Sequence, residues 1–224
     1  MTRSSPFSIR LWEKAIAKFA RLPEARRLKL FYNFDSRVVR TPDYQPGRTA
    51  ELLRKAGLER DTIFLEISER HDISNAQYLQ DILTRYRSQG FKVAIDDYGS
   101  GFAQLRALYE CEPDIIKIDR FFIDGIDRDR RKELFVSQIT AFAHMIAAQV
   151  VAEGVETREE FLCCRRIGCD LVQGFFIARP SVDLPERTDI VPAISGVAIE
   201  NRRGVERDGD VLRSYLLETP PIEN

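Results

Sequence analysis

Short apolar runs recurring between amphipathic stretches restrict this chain more than any other feature. The runs fall at residues 28–34, 62–67, 91–95, 114–118, 149–152 and 171–177. Between them apolar residues return at helical spacing: Trp12, Ile16 and Phe19; then Leu79, Ile82, Leu83 and Tyr86; then Phe135, Ile139, Phe142 and Ile146. Runs this apolar suit strands buried on both faces, so the alternation predicts an α/β fold with a helix-covered parallel sheet. The three helical stripes are expected to face its core. With 224 residues, 44% of them hydrophobic, the chain can bury one sizeable core.

Whether such a sheet is open or closed follows from its polar residues. Asn33, Glu66, Asp96, Lys117, Glu153 and Gln173 each lie at or near the C-terminal end of a different run. An open sheet gathers its ligand contacts at one switch point, whereas a barrel enzyme builds its site from many strand ends. Six polar residues at six ends therefore predict a barrel.

The segment from Val93 to Gly101, Val-Ala-Ile-Asp-Asp-Tyr-Gly-Ser-Gly, delivers Asp96 and Asp97 into a loop bent by Gly99 and Gly101. Adjacent carboxylates repel unless a cation lies beside them, an arginine or a metal. Asn33, Glu66, Asp96 and Asp97 offer hard oxygen donors without thiolate or imidazole, a set that suits Mg²⁺ or Mn²⁺. Lys117 can hold a water or hydroxide in place, and Glu153 can coordinate metal or take the proton. Taken singly, Glu66 and Glu153 could pair with arginines on the rim, and Asn33 could cap a helix.

Charged residues make up 31% of the chain, yet the net charge is -1, which gives no electrostatic argument for nucleic acid or an anionic membrane. No apolar run approaches a membrane span, and the start, Met1-Thr2-Arg3-Ser4-Ser5-Pro6, has no apolar core of a secretory signal. A soluble, cytoplasmic chain is expected. Cys111, Cys163, Cys164 and Cys169 form no Cys-x-x-Cys pair and are expected as reduced, partly buried thiols; His71 and His144 do not build a zinc site. The charge run at 124–133 reads as a solvated loop and helix start. Beyond Pro180 the alternation stops, so 1–180 is expected as the barrel domain and 181–224 as a tail, a linker or the start of a further domain.

Leu65-Glu66-Ile67-Ser68-Glu69, Ile95-Asp96-Asp97-Tyr98-Gly99-Ser100-Gly101-Phe102, Ile116-Lys117-Ile118-Asp119, Ala152-Glu153-Gly154-Val155-Glu156-Thr157 and Gln173-Gly174-Phe175 occur in order, closing with Arg179-Pro180. In these motifs the chain resembles the EAL-domain phosphodiesterases of bacterial cyclic di-GMP signalling, from about Trp12 to Pro180. The resemblance implies a modified TIM-type (β/α) barrel that hydrolyses cyclic di-GMP to linear pGpG with two Mg²⁺ or Mn²⁺ ions. Carried over residue by residue, Asn33, Glu66 and Asp96 would ligate one ion, and Asp96 with Asp97 would reach the second. Lys117 and Glu153 would position and activate the water, Gln173 would complete the site, and Glu69 would anchor the loop with Gly99, Ser100 and Gly101. In the family that loop couples the metals to a dimer interface, which implies a homodimer.

The chain departs from the family in places. The Glu-Ala-Leu motif is absent, and with it one metal ligand and the arginine that follows. Six runs against eight strands imply a barrel incomplete at its N-terminal end, or a piece of a longer protein with sensor or regulatory domains. Ser100 stands where the family has threonine, and Ala103-Gln104 where it has paired serines. Three readings remain: the first is a metal-dependent phosphodiesterase short of one ligand, and the second a degenerate domain that senses cyclic di-GMP or contacts a partner. An unrelated barrel enzyme acting on sugars or phosphates is the third.

Overall fold

Runs such as Ile63-Phe64-Leu65-Glu66-Ile67 are buried along their whole length, and strands buried on both faces need helices over them. The computed structural model meets that need. It describes residues 6–22, 25, 28–34, 47–68, 76–99 and 104–179; residues 181–224 and His71 lie outside them. The strands are β1 (Leu30–Asn33), β2 (Ile63–Ser68), β3 (Lys92–Tyr98), β4 (Ile115–Ile118), β5 (Gln149–Ala152) and β6 (Leu171–Val172). The helices are α1 (Pro6–Phe19), α2 (Arg48–Ala56), α3 (Ala76–Ser88), α4 (Gln104–Cys111), α5 (Arg120–Ile123), α6 (Arg130–Met145) and α7 (Arg158–Ile167).

All six strands run parallel, in the order β1-β2-β3-β4-β5-β6. A doubly wound sheet would reverse its order partway. This one keeps winding in one direction, as the arc of a (β/α) barrel does, and β1 and β6 are its two edges among the described residues. None of the described helices is long and apolar enough to cross a membrane.

The core has two layers. Outside the sheet, Trp12, Ile16 and Phe19 of α1 and Ile82, Leu83 and Tyr86 of α3 are buried as their spacing predicts; each such side chain contributes about 1.5–3 kcal/mol. Inside the arc, Phe31, Phe64, Ala94, Ile115 and Val151 pack together with Leu171 against them. Each interior residue stands two positions before one of the six polar residues, and residues two apart on a strand share a face. The polar set is therefore the next layer up the same inner wall. At the opposite end, Asp114 Oδ2 accepts from Val93 N–H (2.9 Å) and Asp170 Oδ2 from Val150 N–H (2.7 Å), tying neighbouring strands together.

Three expectations are corrected. β3 continues past Ile95 to Tyr98, so both aspartates lie in the strand and not in a loop beyond it. β6 stops at Val172 because Phe176 N–H bonds to Val155 O instead of continuing a ladder. On α6 the apolar stripe does not face the core: Phe135, Phe142 and Ile146 are exposed, Ile139 is partly buried, and Val136, Thr140 and Ala143 are the buried side. Small residues let α6 lie close against the sheet and α7, which the bulkier stripe would prevent. The charge run ends as expected in a helix start, with Asp129 Oδ1 accepting from Arg131 and Lys132 N–H.

Candidate functional site

Lys117 stands at the middle of the polar layer, on the central strand β4. Its Nζ lies 2.6 Å from Glu66 Oε1, 2.8 Å from Asp96 Oδ1 and 2.6 Å from Glu153 Oε1. Glu66 and Lys117 are 3% and 4% exposed. One ammonium among three carboxylates leaves a negative surplus in a place where water screens little, the arrangement in which a multivalent cation is favoured. Glu66 and Glu153 thus find a lysine on the inner wall, where a rim arginine was one sequence-level alternative.

Burial works to depress Lys117, but Glu66, Glu153 and Asp96 outweigh it and hold the ammonium well above its usual range. For Glu153, burial is the largest influence and raises it; Lys117 opposes, while Asp96 and Glu66 add to the rise, and the carboxyl is pushed up to about 8. In the metal-free site this carboxyl therefore holds its proton more tightly than an ordinary glutamate.

Adjacent residues on a flat strand point to opposite faces, so Asp96 and Asp97 cannot both face inward without a local change. A β-bulge makes that change. Ile95 pairs with Ile116 and Tyr98 with Ile118, so three steps on β3 answer two on β4. Asp97 takes the extra step at φ 54°, a left-handed conformation that aspartate tolerates better than most residues. One oxygen each of Asp96, Asp97 and Glu153 then lie within 4.8 Å of one another. An all-oxygen group this tight fits a hard divalent cation.

The remaining residues take these places. Asn33 ends β1 in register with Glu66 and is exposed. Gln173 follows β6; its N–H bonds to Ala152 O (2.8 Å) and its carbonyl accepts from Val155 N–H (3.0 Å). Its Oε1 is buried with no hydrogen-bond partner among the described residues, an acceptor ready for a ligand. Gly99, at φ 107°, passes so close to α5 that a Cβ there would stand 2.3 Å from Phe122 Cε2. Glu69, Ser100 and Gly101 lie outside the described residues.

Sequence reasoning missed the floor of the site. The Phe31 ring centroid lies 5.9 Å from Lys117 Nζ, and the ring stacks on Phe64 at 5.0 Å. Counting back two residues from Asn33 and Glu66 would have found both.

The EAL domain family model matches residues 5–180. The probable cyclic di-GMP phosphodiesterase PdeA of Escherichia coli is 34% identical over 134 residues, 60% of this chain and 18% of that protein. The cyclic di-GMP phosphodiesterase NbdA of Pseudomonas aeruginosa is 36% identical over 128 residues, 57% of this chain and 16% of that one. The chain thus spans less than a fifth of the length of these relatives. Among solved structures, Klebsiella pneumoniae BlrP1 in a calcium and cyclic di-GMP complex matches with TM-score 0.71 and 30% identity, over 78% of this chain and 44% of BlrP1. The EAL domain of Mycobacterium smegmatis DcpA matches with TM-score 0.67 and 32% identity, over 75% of this chain and 76% of that one. A manganese and cyclic di-GMP complex of BlrP1 gives TM-score 0.68 and 32% identity, over 76% and 44%.

Proposed function

The chain belongs to the EAL-domain family, and on that premise we propose that it hydrolyses cyclic di-GMP to linear pGpG. The observation that carries the reading is the buried Lys117 with Glu66, Asp96 and Glu153 around it, beside the oxygen group of Asp96, Asp97 and Glu153. Asp96, Asp97 and Glu153 would hold Mg²⁺ or Mn²⁺, with Glu66 and Asn33 at the adjoining strand ends. Such an ion supplies Lewis acidity and neutralises phosphate charge. Lys117 orients a water through its N–H groups and stabilises the charge that builds on the phosphoryl oxygens. Glu153 takes the proton from that water at a carboxylate oxygen as water oxygen bonds to phosphorus and the bond to the 3′ oxygen breaks, that oxygen taking up a proton from solvent. Gln173 offers Oε1 to the nucleotide.

The test is incubation with cyclic di-GMP and Mn²⁺ followed by chromatography for pGpG. Product is expected from the unmodified chain, with at least a hundredfold less from Asp96→Asn, which keeps the shape and removes a charge. Tight binding of cyclic di-GMP in Mn²⁺ with no product at all would assign the chain to the sensor reading instead.

The Glu153 shift adds a pH dependence. Its carboxyl sits above the ordinary glutamate value in the fold, so its stabilising contribution is full below about 4.5 and is lost as pH rises through about 8. A bound cation must displace that proton, so metal affinity should strengthen by up to roughly tenfold per pH unit up to about 8. Metal-free melting temperature is expected to fall between pH 6 and 8.5, while the rise produced by millimolar Mn²⁺ grows. An Mn²⁺ increment equal at pH 6 and pH 8 would refute the protonated Glu153.

For the homodimer, the supporting surface is the outward stripe of α6, where Phe135 is 48% and Met145 77% exposed. Phe122 lies between Phe135 (6.2 Å) and Gly99, and so connects that stripe to the loop after Asp97. Sensor or regulatory domains are part of the same proposal, since the relatives are far longer than the matched region.

A further inference from the structure

The last turn of α7 closes with two backbone bonds that bring two thiols together. Gly168, at φ 100°, donates to Arg165 O, and Cys169 donates to Cys164 O, both at 3.1 Å. These are the two bonds of the Schellman motif, in which the side chains at the positions of Cys164 and Cys169 commonly make an apolar contact. Here both are cysteines, and each shifts the other's proton affinity. Thr140 Oγ1 on the buried side of α6 lies 3.8 Å from Cys169 Sγ. Cys164 is fully buried, whereas Cys169 is partly open to solvent. Cys163 is engaged elsewhere: its Sγ donates to Ile126 O (3.8 Å) and accepts from Arg166 Nη2 (3.3 Å).

We propose that Cys164 and Cys169 form a reversible thiol–disulfide pair, a covalent modification site at the end of α7 with a peroxide as the oxidant. A disulfide needs α-carbons about 4.4–6.8 Å apart, and the backbone bond between these two residues keeps their main chains together. Cys169 is the attacking sulfur because its residue is partly open to solvent whereas Cys164 is fully buried. Its thiol is also drawn down, chiefly because Cys164 donates to it and secondarily by Thr140, against the effect of burial. Cys164 is pushed up by the same shared bond and by burial, and serves as the resolving thiol. In the first step Cys169 sulfur takes one oxygen from hydrogen peroxide, the O–O bond breaks, and water leaves a sulfenic acid. In the second, Cys164 sulfur displaces that hydroxyl as water, which carries away the Cys164 proton. Two thiols and one peroxide become one disulfide and two waters, a two-electron oxidation that a dithiol reductant reverses. In sequence the pair lies between β5 and β6, which Glu153 and Gln173 follow, without belonging to the site those two residues help build.

The test treats the full chain with hydrogen peroxide, alkylates the remaining thiols and maps tryptic peptides without reduction. The chain is expected to lose two alkylatable thiols and two hydrogens in mass. Cleavage after Arg165 and Arg166 should leave the Cys164 and Cys169 peptides joined until dithiothreitol is added. Cys163→Ser should behave like the parent. Cys169→Ser should form no bridge and lose its first thiol about tenfold more slowly. Cys164→Ser should trap Cys169 as the sulfenic acid; should that buried substitution prevent folding, Cys169→Ser and Cys163→Ser still decide the matter. Retention of all four thiols, a bridge to Cys163, or sulfinic acid on Cys169 with Cys164 free would each overturn the proposal.

Discussion

Lys117→Met is expected to abolish pGpG formation and to lower the melting temperature of the metal-free protein by roughly 10 °C. The ammonium is the shared partner of Glu66, Asp96 and Glu153, at 2.6–2.8 Å from each. Methionine nearly keeps the volume and removes the charge, so three carboxylates face one another in a buried place. Breaking a buried pair by removing one partner costs about 3–5 kcal/mol, and 1 kcal/mol corresponds to about 2–4 °C in a chain of this size. Protonation of the carboxyls offsets part of the loss at low pH, so the deficit should widen as pH rises. Millimolar Mn²⁺ should recover much of it, since a cation bound only to the folded chain stabilises by mass action and supplies the missing charge. The measurement is a thermal melt at pH 6, 7 and 8 with and without Mn²⁺. A metal-free variant that melts with the parent at pH 8 would mean that the carboxylates do not depend on Lys117.

Gly174→Ala is expected to cost stability and nucleotide contact together. A Cβ at Gly174 would stand 2.1 Å from Val155 O and 2.4 Å from Val155 N, both backbone atoms that cannot swing aside. Val155 N–H also donates to Gln173 O, and Val155 O accepts from Phe176 N–H. The methyl therefore pushes on the bond from Val155 N–H to Gln173 and on the one from Phe176 N–H to Val155. Overpacking of this kind costs about 1–3 kcal/mol, a fall of roughly 2–12 °C in melting temperature. Cyclic di-GMP affinity should fall along with it, while Mn²⁺ binding, built from Asp96, Asp97 and Glu153, should change little. A variant with parental melting temperature and parental nucleotide affinity would show that the turn relaxes, and that Gln173 is not held by it.

Much of this architecture is readable without coordinates because it depends on local spacing. A period of two along an apolar run brings Phe31 beneath Asn33, Phe64 beneath Glu66 and Ile115 beneath Lys117, and the same count applies on every strand. All six strands, the inner polar layer and the buried stripes of α1 and α3 follow from patterns spanning a few residues. The Asp129 cap and the Thr157–Glu160 capping box at the start of α7 are equally local.

What remained for the tertiary structure was every choice between two locally equal options. Both faces of α6 carry apolar residues, and only the close approach of the sheet and α7 selects Val136, Thr140 and Ala143 over Phe135 and Phe142. Asp96 and Asp97 would face opposite ways on an isolated strand; the extra residue that turns both inward is counted only against the partner strand β4. β6 ends where it does because Gly174 meets the backbone of Val155, some twenty residues away in sequence. The proton affinity of Glu153 belongs to its neighbours Lys117, Asp96 and Glu66 and to its burial, none of which a local motif encodes. Spacing along the chain decides which residues share a face; only contact between distant segments decides which face is buried and what charge it carries.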